Sequence, residues 1–290
     1  MNDKFYLLTA VAAAIEAGRA ILEVYRSSDF KIEKKADKSP LTLADRRSHE
    51  VIVKRLGKLA IPILSEEGKD IPYVERKSWE TYWLIDPLDG TKEFIKQNGE
   101  FTVNIAMIRD RKPSGGVIYV PDKNVLYFAL SDQGSFKVDS GESINQLATD
   151  LIELLKNQAV GPGNEKIAEA FDSLSVTSAK LPVIDLPTRP FTIIGSRSHA
   201  SPELEAFVEE KRQEHGEVEF ISAGSSLKLC LVAEGKADIY PRTGPTMEWD
   251  TAAGQAIAEN AGCQVLQYDT REPLIYNKEN LLNPWFVVLR

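Results

Sequence analysis

The apolar positions in the first half of the chain predict two helices followed by a series of strands. Residues 3–26 are rich in Ala, Leu, Ile and Glu and predict an amphipathic helix. Thr42 and Asp45, ahead of the apolar positions Ile52 and Leu56, indicate a second helix that starts with a capping box. Short apolar runs then predict strands at residues 61–64, 81–85, 101–108, 116–121, 125–130 and 134–138. Short turns separate the last four strands, which is typical of an antiparallel meander.

After residue 190 the pattern alternates between strands and helices. We predict strands at residues 191–194, 218–221, 237–240 and 263–267, and helices at residues 202–213, 224–234 and 250–260. Such alternation favours an α/β layer. We therefore expect two layered subdomains, residues 1–139 and residues 190–290, with a functional site between them.

Residues 140–189 follow neither pattern, and we interpret them as a variable insertion or linker. Leu147 to Leu155 predict a short helix, which Gly161-Pro162-Gly163 should end. Residues 172–190 are rich in Ser, Thr and Pro and predict a loop over the surface. A lid near the active site is the functional alternative to a neutral insertion.

Composition excludes some classes of protein. A chain of 290 residues can hold one large domain or two moderate ones. The net charge of −8 argues against a surface that binds nucleic acid, although bound metal ions could still attract a small phosphorylated substrate. Cys230 and Cys263 are isolated, so neither a zinc site nor a disulfide framework is expected.

The sequence also bears on location. The first residues lack the basic segment followed by an unbroken apolar stretch that marks a secretory signal. No apolar run reaches the length of about 18 residues that indicates a membrane-spanning helix. We therefore expect a cytoplasmic protein without a transmembrane segment. Peripheral contact with the inner face of the cell membrane, and the choice between monomer and homodimer, stay open.

The most informative motif is a pair of carboxylates at the end of an apolar run. Asp86 and Asp89 follow residues 82–85, and Pro87 and Gly90 provide for a turn around them. A turn is needed for convergence, because residues three apart in a regular strand point to opposite faces. Converging carboxylates repel each other, and a divalent cation is the usual remedy. The alternative is an ordinary surface turn, which the apolar run before it makes less attractive.

Two further acidic positions support the metal-site interpretation. Glu66 and Glu67 follow the short apolar run 61–64, and Asp250 lies where a helix is predicted to begin. Each has a simple structural alternative: solvated charges that close a strand for the glutamates, and an N-cap for Asp250. The combination is more specific than any one of its members.

Together these motifs resemble the inositol monophosphatase-like superfamily of magnesium-dependent, typically lithium-sensitive phosphatases. The matching motifs are Glu66-Glu67, Asp86-Pro87-x-Asp89-Gly90-Thr91 and Trp249-Asp250-x-x-Ala253. Segments 86–96, 98–106, 195–199, 224–235 and 240–245 are similar to the bacterial 3′(2′),5′-bisphosphate nucleotidase branch, of the CysQ type. The resemblance covers residues 1–139 and 190–290. It implies a sugar-phosphatase-like αβαβα sandwich, with an antiparallel-sheet N-terminal half and an α/β C-terminal half.

The resemblance also implies metal ligands for two or three Mg²⁺ ions. One ion would take Glu66, Asp86 and the backbone carbonyl of Leu88. A second ion would take Asp86, Asp89 and Asp250, so that Asp86 would bridge the two.

Asp45 and Thr91 are similar to the family's catalytic dyad, which orients the attacking water and accepts its proton. Structural alternatives exist for both, because Asp45 could reinforce a helix start and Thr91 could cap a short turn. Gly90 and Thr91 are our candidates for backbone N–H groups that hold a phosphate.

Substrate contacts follow from the narrower resemblance. Positions that would line the nucleotide are Ser196, His199, Gly224, Ser225 and Asp250. Lys228 and Arg242 are candidates to bind a second phosphate at the cleft mouth, with ordinary surface charge as the alternative. We reject His199 as a metal ligand, because no residue is paired with it in the sequence.

The resemblance implies a Mg²⁺-dependent phosphatase that converts adenosine 3′,5′-bisphosphate to AMP and phosphate, by metal-activated water and without a covalent intermediate, in support of sulfate assimilation. Inositol phosphates or fructose 1,6-bisphosphate are alternative substrates on the same scaffold. A haloacid dehalogenase-type phosphatase is disfavoured, because two residues rather than one separate Asp86 from Asp89. A non-catalytic metal-dependent binding protein is the remaining alternative.

Overall fold

The computed structural model describes residues 3–27, 33–34, 40–139, 141–156, 165–183, 189–196 and 202–290. Two of the sequence predictions lie outside these ranges, namely the helix-ending segment 161–163 and the nucleotide contact His199. The helices of the described part are α1 (Asp3–Ser27), α2 (Leu43–Leu56), α3 (Tyr73–Arg76), α4 (Thr91–Ile95), α5 (Gly141–Lys156), α6 (Glu165–Thr177), α7 (Pro202–His215), α8 (Leu227–Ala233) and α9 (Glu248–Asn260), with a 3₁₀ turn at Gly57–Leu59.

The strands form two larger sheets and one small pair. They are β1 (Glu33–Lys34), β2 (Pro40–Leu41), β3 (Ile63–Ser65), β4 (Thr81–Asp89), β5 (Thr102–Arg109), β6 (Lys112–Val120), β7 (Val125–Leu130), β8 (Gly134–Val138), β9 (Ala179–Leu181), β10 (Phe191–Ser196), β11 (Val218–Ala223), β12 (Ile239–Arg242), β13 (Gln264–Gln267) and β14 (Phe286–Leu289). The large sheet runs β3-β4-β5-β6-β7-β8-β9 and is antiparallel except for the parallel pair β3–β4. The second sheet runs β11-β10-β12-β14-β13 and mixes parallel and antiparallel pairs.

The core is divided between the two faces of the large sheet, and β4 shows why. Trp83 and Ile85 pack with α1, α2, α5 and α6 on one face. Tyr82 and Leu84 point to the other face, where they join α8, α9 and the inner side of the second sheet. Since both faces are covered, β4 reads as one continuous apolar run instead of an alternating one. Helix α7 packs on the outer side of the second sheet through Phe207. The predicted αβαβα sandwich is therefore confirmed.

Helix α1 is the most deeply embedded helix of the first layer. Among the described residues, it alone is long and apolar enough to cross a membrane, but 72% of its apolar 18-residue window is buried inside the protein. Its Ala-rich face allows close contact with α2 and with the large sheet. Its hydrophobicity is therefore accounted for by the core.

Residues 140–189 contain more regular structure than the sequence indicates. The predicted short helix becomes α5, which extends over Gly141–Lys156. The prediction of a surface loop over residues 172–190 is wrong for residues 172–181, because α6 continues to Thr177 and β9 follows as the last strand of the large sheet. The helix is held by burial of its apolar side against α1. The strand is held by pairing with β8, which local sequence does not encode.

Candidate active site

The end of β4 is shaped by an irregularity in its pairing with β5. Asp86 lies opposite Asn104, but Asp89 lies opposite Thr102, so three residues of β4 are matched to two of β5. Such a bulge re-aims side chains, and here it brings the charges of Asp86 and Asp89 close enough to interact. The bulged segment is fixed by a hydrogen bond of 2.6 Å from Ser48 Oγ to the Pro87 carbonyl.

Three carboxylates from distant parts of the chain meet beside this bulge. Ligand oxygens of Glu66, Asp86 and Asp250 all lie within 4.8 Å of one another. Glu66 follows β3, and its N–H donates to the Ile85 carbonyl at 3.1 Å. Asp250 is held in the first turn of α9, where its Oδ2 accepts from the Met247 N–H at 2.8 Å. The helix therefore starts at Glu248, two residues earlier than predicted, and the N-cap alternative for Asp250 is wrong.

The charges of this cluster oppose one another. Burial raises the pKa of Asp86 well above its ordinary value, and the neighbouring Glu66, Asp89 and Asp250 raise it further. Burial likewise raises the pKa of Asp250, with Asp89 and Glu66 as the next causes. A set of carboxylate oxygens with unfavourable mutual charge fits a hard divalent cation, because the cation would replace repulsion by attraction.

Asp89 stands at the edge of the cluster and is held separately. Its Oδ2 lies 2.6 Å from Ser226 Oγ and 3.3 Å from Asn104 Nδ2. Leu88, whose carbonyl was predicted as a ligand, is buried in the bulge, and its N–H donates to Asp86 Oδ1 at 3.1 Å. The structure thus brings Glu66, Asp86 and Asp250 into one cluster, with Asp89 at its edge.

The predicted dyad also forms. Thr91 Oγ1 donates to Asp45 Oδ1 at 3.3 Å, across 46 residues of sequence. The other oxygen of Asp45 accepts from the N–H of Thr42 at 2.8 Å and completes the capping box of α2. Gly90, with φ +91°, is the residue that precedes α4, so Thr91 is the first residue of that helix and not its N-cap.

A pocket opens next to the acidic cluster. Its predicted members are Asp89, Gly90, Ser196, Gly224, Ser225, Lys228, Arg242 and Asp250. Within the part of the chain that the structure describes, three buried polar atoms in its wall have no hydrogen-bond partner: Ser225 Oγ, Arg242 Nε and Thr246 Oγ1. Since buried polar atoms are usually paired, these atoms are candidates for hydrogen bonds to a polar ligand or to water. Sequence reasoning missed Thr246, which lies four residues before Asp250.

The two predicted cations of the pocket differ in their surroundings. Lys228 is buried, and its Nζ donates to the carbonyls of Ser225 at 2.5 Å and Ala223 at 3.3 Å. Burial lowers the pKa of Lys228 to about 8. Lys228 therefore belongs to the pocket wall and not to the cleft mouth expected from the sequence. Arg242 is half-buried and donates to the Pro245 carbonyl at 2.9 Å.

The chain belongs to the inositol monophosphatase family, whose family model matches residues 3–285. The layered fold is thus that of a family of phosphatases, and enzymes of this family use Mg²⁺.

Named relatives narrow the comparison. The proteins named 3′(2′),5′-bisphosphate nucleotidase CysQ from Shigella flexneri and Escherichia coli strain K12 are each 43% identical to this chain over 280 residues, which is 95% of this chain and 96% of the relative. The crystal structure of CysQ from Bacteroides thetaiotaomicron is 48% identical, with a TM-score of 0.82 over 98% of this chain and 96% of that one. The family resemblance predicted from the motifs is therefore confirmed.

Proposed function

We propose that this protein is a Mg²⁺-dependent 3′(2′),5′-bisphosphate nucleotidase, which hydrolyses the 3′-phosphate of adenosine 3′,5′-bisphosphate to give AMP and phosphate. The observation that carries the proposal is the carboxylate cluster of Glu66, Asp86 and Asp250 beside a pocket that holds Lys228 and Arg242. Carboxylates that would bind metal ions thus lie next to cationic side chains that would bind a second phosphate, as a bisphosphorylated substrate requires. The similarity to the CysQ proteins supports the same substrate class.

Metal ions would be held by the side chains of Glu66, Asp86, Asp89 and Asp250 and by the carbonyl of Leu88, and we propose two or three ions per site. When bound, Mg²⁺ supplies a positive charge for the phosphoryl oxygens and a bound water of lowered pKa. The carboxylates would fix the positions of the ions. Asp86 and Asp89 lie in β4, Asp250 lies in α9, and Glu66 directly follows β3.

The dyad provides the route for the proton of the attacking water. The Thr91 hydroxyl donates to Asp45 Oδ1, so its oxygen could accept a hydrogen bond from the attacking water. The proton can then pass through Thr91 to the Asp45 carboxylate. Asp45 is buried, with only 1% of its surface exposed, and this keeps it aligned. No side chain needs to form a covalent bond to phosphorus.

Binding of the nucleotide would use the rest of the pocket. Gly90, which lines the pocket, and the adjacent Thr91 would offer backbone N–H groups to the scissile phosphate. Lys228 and Arg242 would bind the other phosphate. The proposed nucleoside contacts are Ser196, His199, Gly224, Ser225 and Asp250. The Ser225 hydroxyl, which is buried without a hydrogen-bond partner, is the observation that best supports these nucleoside contacts.

We place the enzyme in the cytoplasm, because Cys230 and Cys263 are both free and buried.

The experiment that tests this proposal is a phosphate-release screen with Mg²⁺, with and without Li⁺. The substrates are adenosine 3′,5′-bisphosphate, inositol 1-phosphate and fructose 1,6-bisphosphate. We expect the highest kcat/KM on the bisphosphorylated nucleoside and inhibition by Li⁺. A higher kcat/KM on a sugar or inositol phosphate would instead assign the alternative substrate class.

Asp89→Asn is the inactive control for the screen. It conserves shape but removes one charge from the cluster, so we expect nearly all turnover to be lost while the circular dichroism spectrum stays that of the folded protein. Phosphate release that survives this substitution would place the chemistry elsewhere.

A further inference from the structure

A chain of three buried polar side chains ends on the carboxylate of Asp89. Thr102 Oγ1 donates to Asn104 Oδ1 at 2.9 Å. Asn104 Nδ2 donates to Ser226 Oγ at 2.8 Å and lies 3.3 Å from Asp89 Oδ2. Ser226 Oγ in turn lies 2.6 Å from Asp89 Oδ2. Thr102, Asn104 and Ser226 are 0%, 1% and 2% exposed, so water does not compete for these bonds.

The chemistry of the groups determines which of them donate and which accept along this series of hydrogen bonds. An amide oxygen accepts and an amide nitrogen donates, so the Thr102 hydroxyl fixes which end of Asn104 faces Ser226. Ser226 accepts from Asn104 and keeps one proton to give. Its two acceptors are Asp89 Oδ2 at 2.6 Å and the Asp250 carbonyl at 2.8 Å. The charged and closer acceptor is favoured, so the donors of the chain are directed toward Asp89.

We infer that Thr102, Asn104 and Ser226 are positioning residues for Asp89. Among the described residues, the side-chain hydrogen bonds of Asp89 both go to Oδ2, which leaves Oδ1 as the oxygen with which it can bind a cation. The inference rests on the proposed function through the assignment of Asp89 as a metal ligand.

The hydrogen bonds of Thr102, Asn104 and Ser226 also join the two halves of the molecule at the site. Thr102 and Asn104 lie on β5, which pairs with the bulged end of β4. Ser226 lies in the second half, directly before α8, and also contacts the backbone of Asp250. One hydroxyl therefore adjoins two of the acidic residues, and its loss should disturb metal binding more than folding.

The test is titration of the purified protein with Mn²⁺, with free Mn²⁺ measured by electron paramagnetic resonance. Loss of a partner that orients a metal ligand typically weakens metal binding by about 10- to 100-fold, and we expect this for Ser226→Ala and Asn104→Ala. The isosteric Thr102→Val should weaken Mn²⁺ binding by a smaller factor, about threefold to tenfold, because it acts through Asn104. Thr102→Ser restores the hydroxyl and should restore the wild-type affinity.

Thr192→Val is the matched control. Thr192 is a buried strand threonine in β10 whose hydroxyl donates to the Pro190 carbonyl at 2.9 Å, away from the site. Its substitution should leave the Mn²⁺ affinity unchanged. The inference is overturned if Thr102→Val, folded as judged by its melting temperature, binds Mn²⁺ as the wild type does, or if Thr192→Val weakens binding equally.

Failure of the inference and failure of the proposed function give different results. If the wild type binds Mn²⁺ but releases no phosphate from adenosine 3′,5′-bisphosphate, the proposed function fails while the positioning role still stands on the titration. If the wild type is active and Ser226→Ala, Asn104→Ala and Thr102→Val all bind Mn²⁺ as the wild type does, only the inference fails. If the wild type binds no Mn²⁺, both fail.

Discussion

The two carboxylate oxygens of Asp45 accept hydrogen bonds from two different parts of the chain. Oδ2 caps α2 through the N–H of Thr42, and Oδ1 accepts the hydrogen bond of Thr91. The sequence presents the helix cap and the catalytic role as alternatives, but the geometry makes one support the other. A carboxylate that is fixed at one oxygen presents the other in a defined direction, which general-base catalysis needs.

At this scale we predict that Thr91→Val abolishes most turnover without unfolding the protein. Valine keeps the shape of the side chain but removes the hydroxyl that we propose passes the proton to Asp45, and loss of general-base assistance costs about 10²- to 10⁴-fold in kcat. Steady-state kinetics at saturating Mg²⁺ measures the effect. Thr91→Ser is the matched control and should keep most of the activity. Comparable activity in the valine variant would remove Thr91 from the dyad.

Lys228 leads to a prediction about substrate preference. Lys228→Met keeps the volume of the buried side chain but removes its charge, so kcat/KM for adenosine 3′,5′-bisphosphate should fall about tenfold more than kcat/KM for 3′-AMP. Because the pKa of Lys228 is lowered to about 8, its ammonium is lost as the pH rises above that value. The wild-type preference for the bisphosphate should therefore decline between about pH 7 and pH 9, and the preference of the variant should not.

The control for this comparison is Lys58→Met, which removes an exposed lysine from the 3₁₀ turn. This substitution should leave kcat/KM unchanged for both the bisphosphate and 3′-AMP. Equal losses on the bisphosphate and the monophosphate in Lys228→Met would assign Lys228 to the structure of the pocket wall, where its Nζ holds the carbonyls of Ser225 and Ala223.

The turn between β4 and α4 leaves little room for a side chain at Gly90. Gly90 has φ +91°, and a Cβ there would lie 3.2 Å from the Glu100 carbonyl and 3.3 Å from Ser225 Cβ. We predict that Gly90→Ala destabilises the protein by about 1–2 kcal/mol and lowers kcat, because α4 carries Thr91. Urea denaturation and kinetics measure the two effects.

The matched control is Gly57→Ala. Gly57 follows α2 with φ −61°, and nothing lies within 4 Å of the position of its Cβ. Alanine fits this backbone, so the free energy of unfolding should stay the same or rise by about 0.4–1 kcal/mol. A Gly90→Ala variant as stable and active as Gly57→Ala would show that the turn tolerates a side chain.

The elements also show what local sequence could and could not predict. The strands of the meander and helix α1 were found because their apolar runs are long and bounded by turns. Strand β14 was missed, since its four residues are defined by pairing with β12 and β13. The motifs predict which acidic residues come together, and the structure places Glu66, Asp86 and Asp250 in one cluster. Ser226 and Asn104 were not assigned a role, because their contact joins residues 122 positions apart.

Considered as a whole, the molecule places a buried ionic network behind the site. Glu248, with 0% of its surface exposed, accepts from the N–H of Asn277 at 2.7 Å and from Lys278 Nζ at 2.7 Å. Arg76 donates to the side chain of Asn277 at 2.9 Å and to the carbonyl of Lys278 at 2.6 Å. The network links α3, which follows Glu66 in the chain, to the start of α9. Buried charges that have partners thus join the segment that follows Glu66 to the helix that carries Asp250.

This unfavourable cluster predicts how metal ions and pH affect the stability of the whole protein. The pKa values of Asp86 and Asp250 are raised in the folded state, so above the unfolded value of about 3.9 the folded protein holds more protons than the unfolded chain. Their contribution to stability is therefore present at low pH and is lost as the pH rises through the raised values. Mg²⁺ binds the deprotonated carboxylates and should offset this loss.

We accordingly predict that Mg²⁺ raises the melting temperature more at about pH 7.5 than at about pH 5.5, because more of the cluster is ionised at the higher pH. Asp86→Asn should raise the melting temperature of the metal-free protein at the higher pH by about 2–4 °C for each kcal/mol of repulsion removed, and should abolish the response to Mg²⁺. Asp70→Asn, at an exposed position, is the control and should leave both unchanged. Differential scanning calorimetry with and without Mg²⁺ measures these shifts. If Asp86→Asn instead destabilised the metal-free protein, the acids would be stabilising one another without a cation, and the metal site would lose its electrostatic basis.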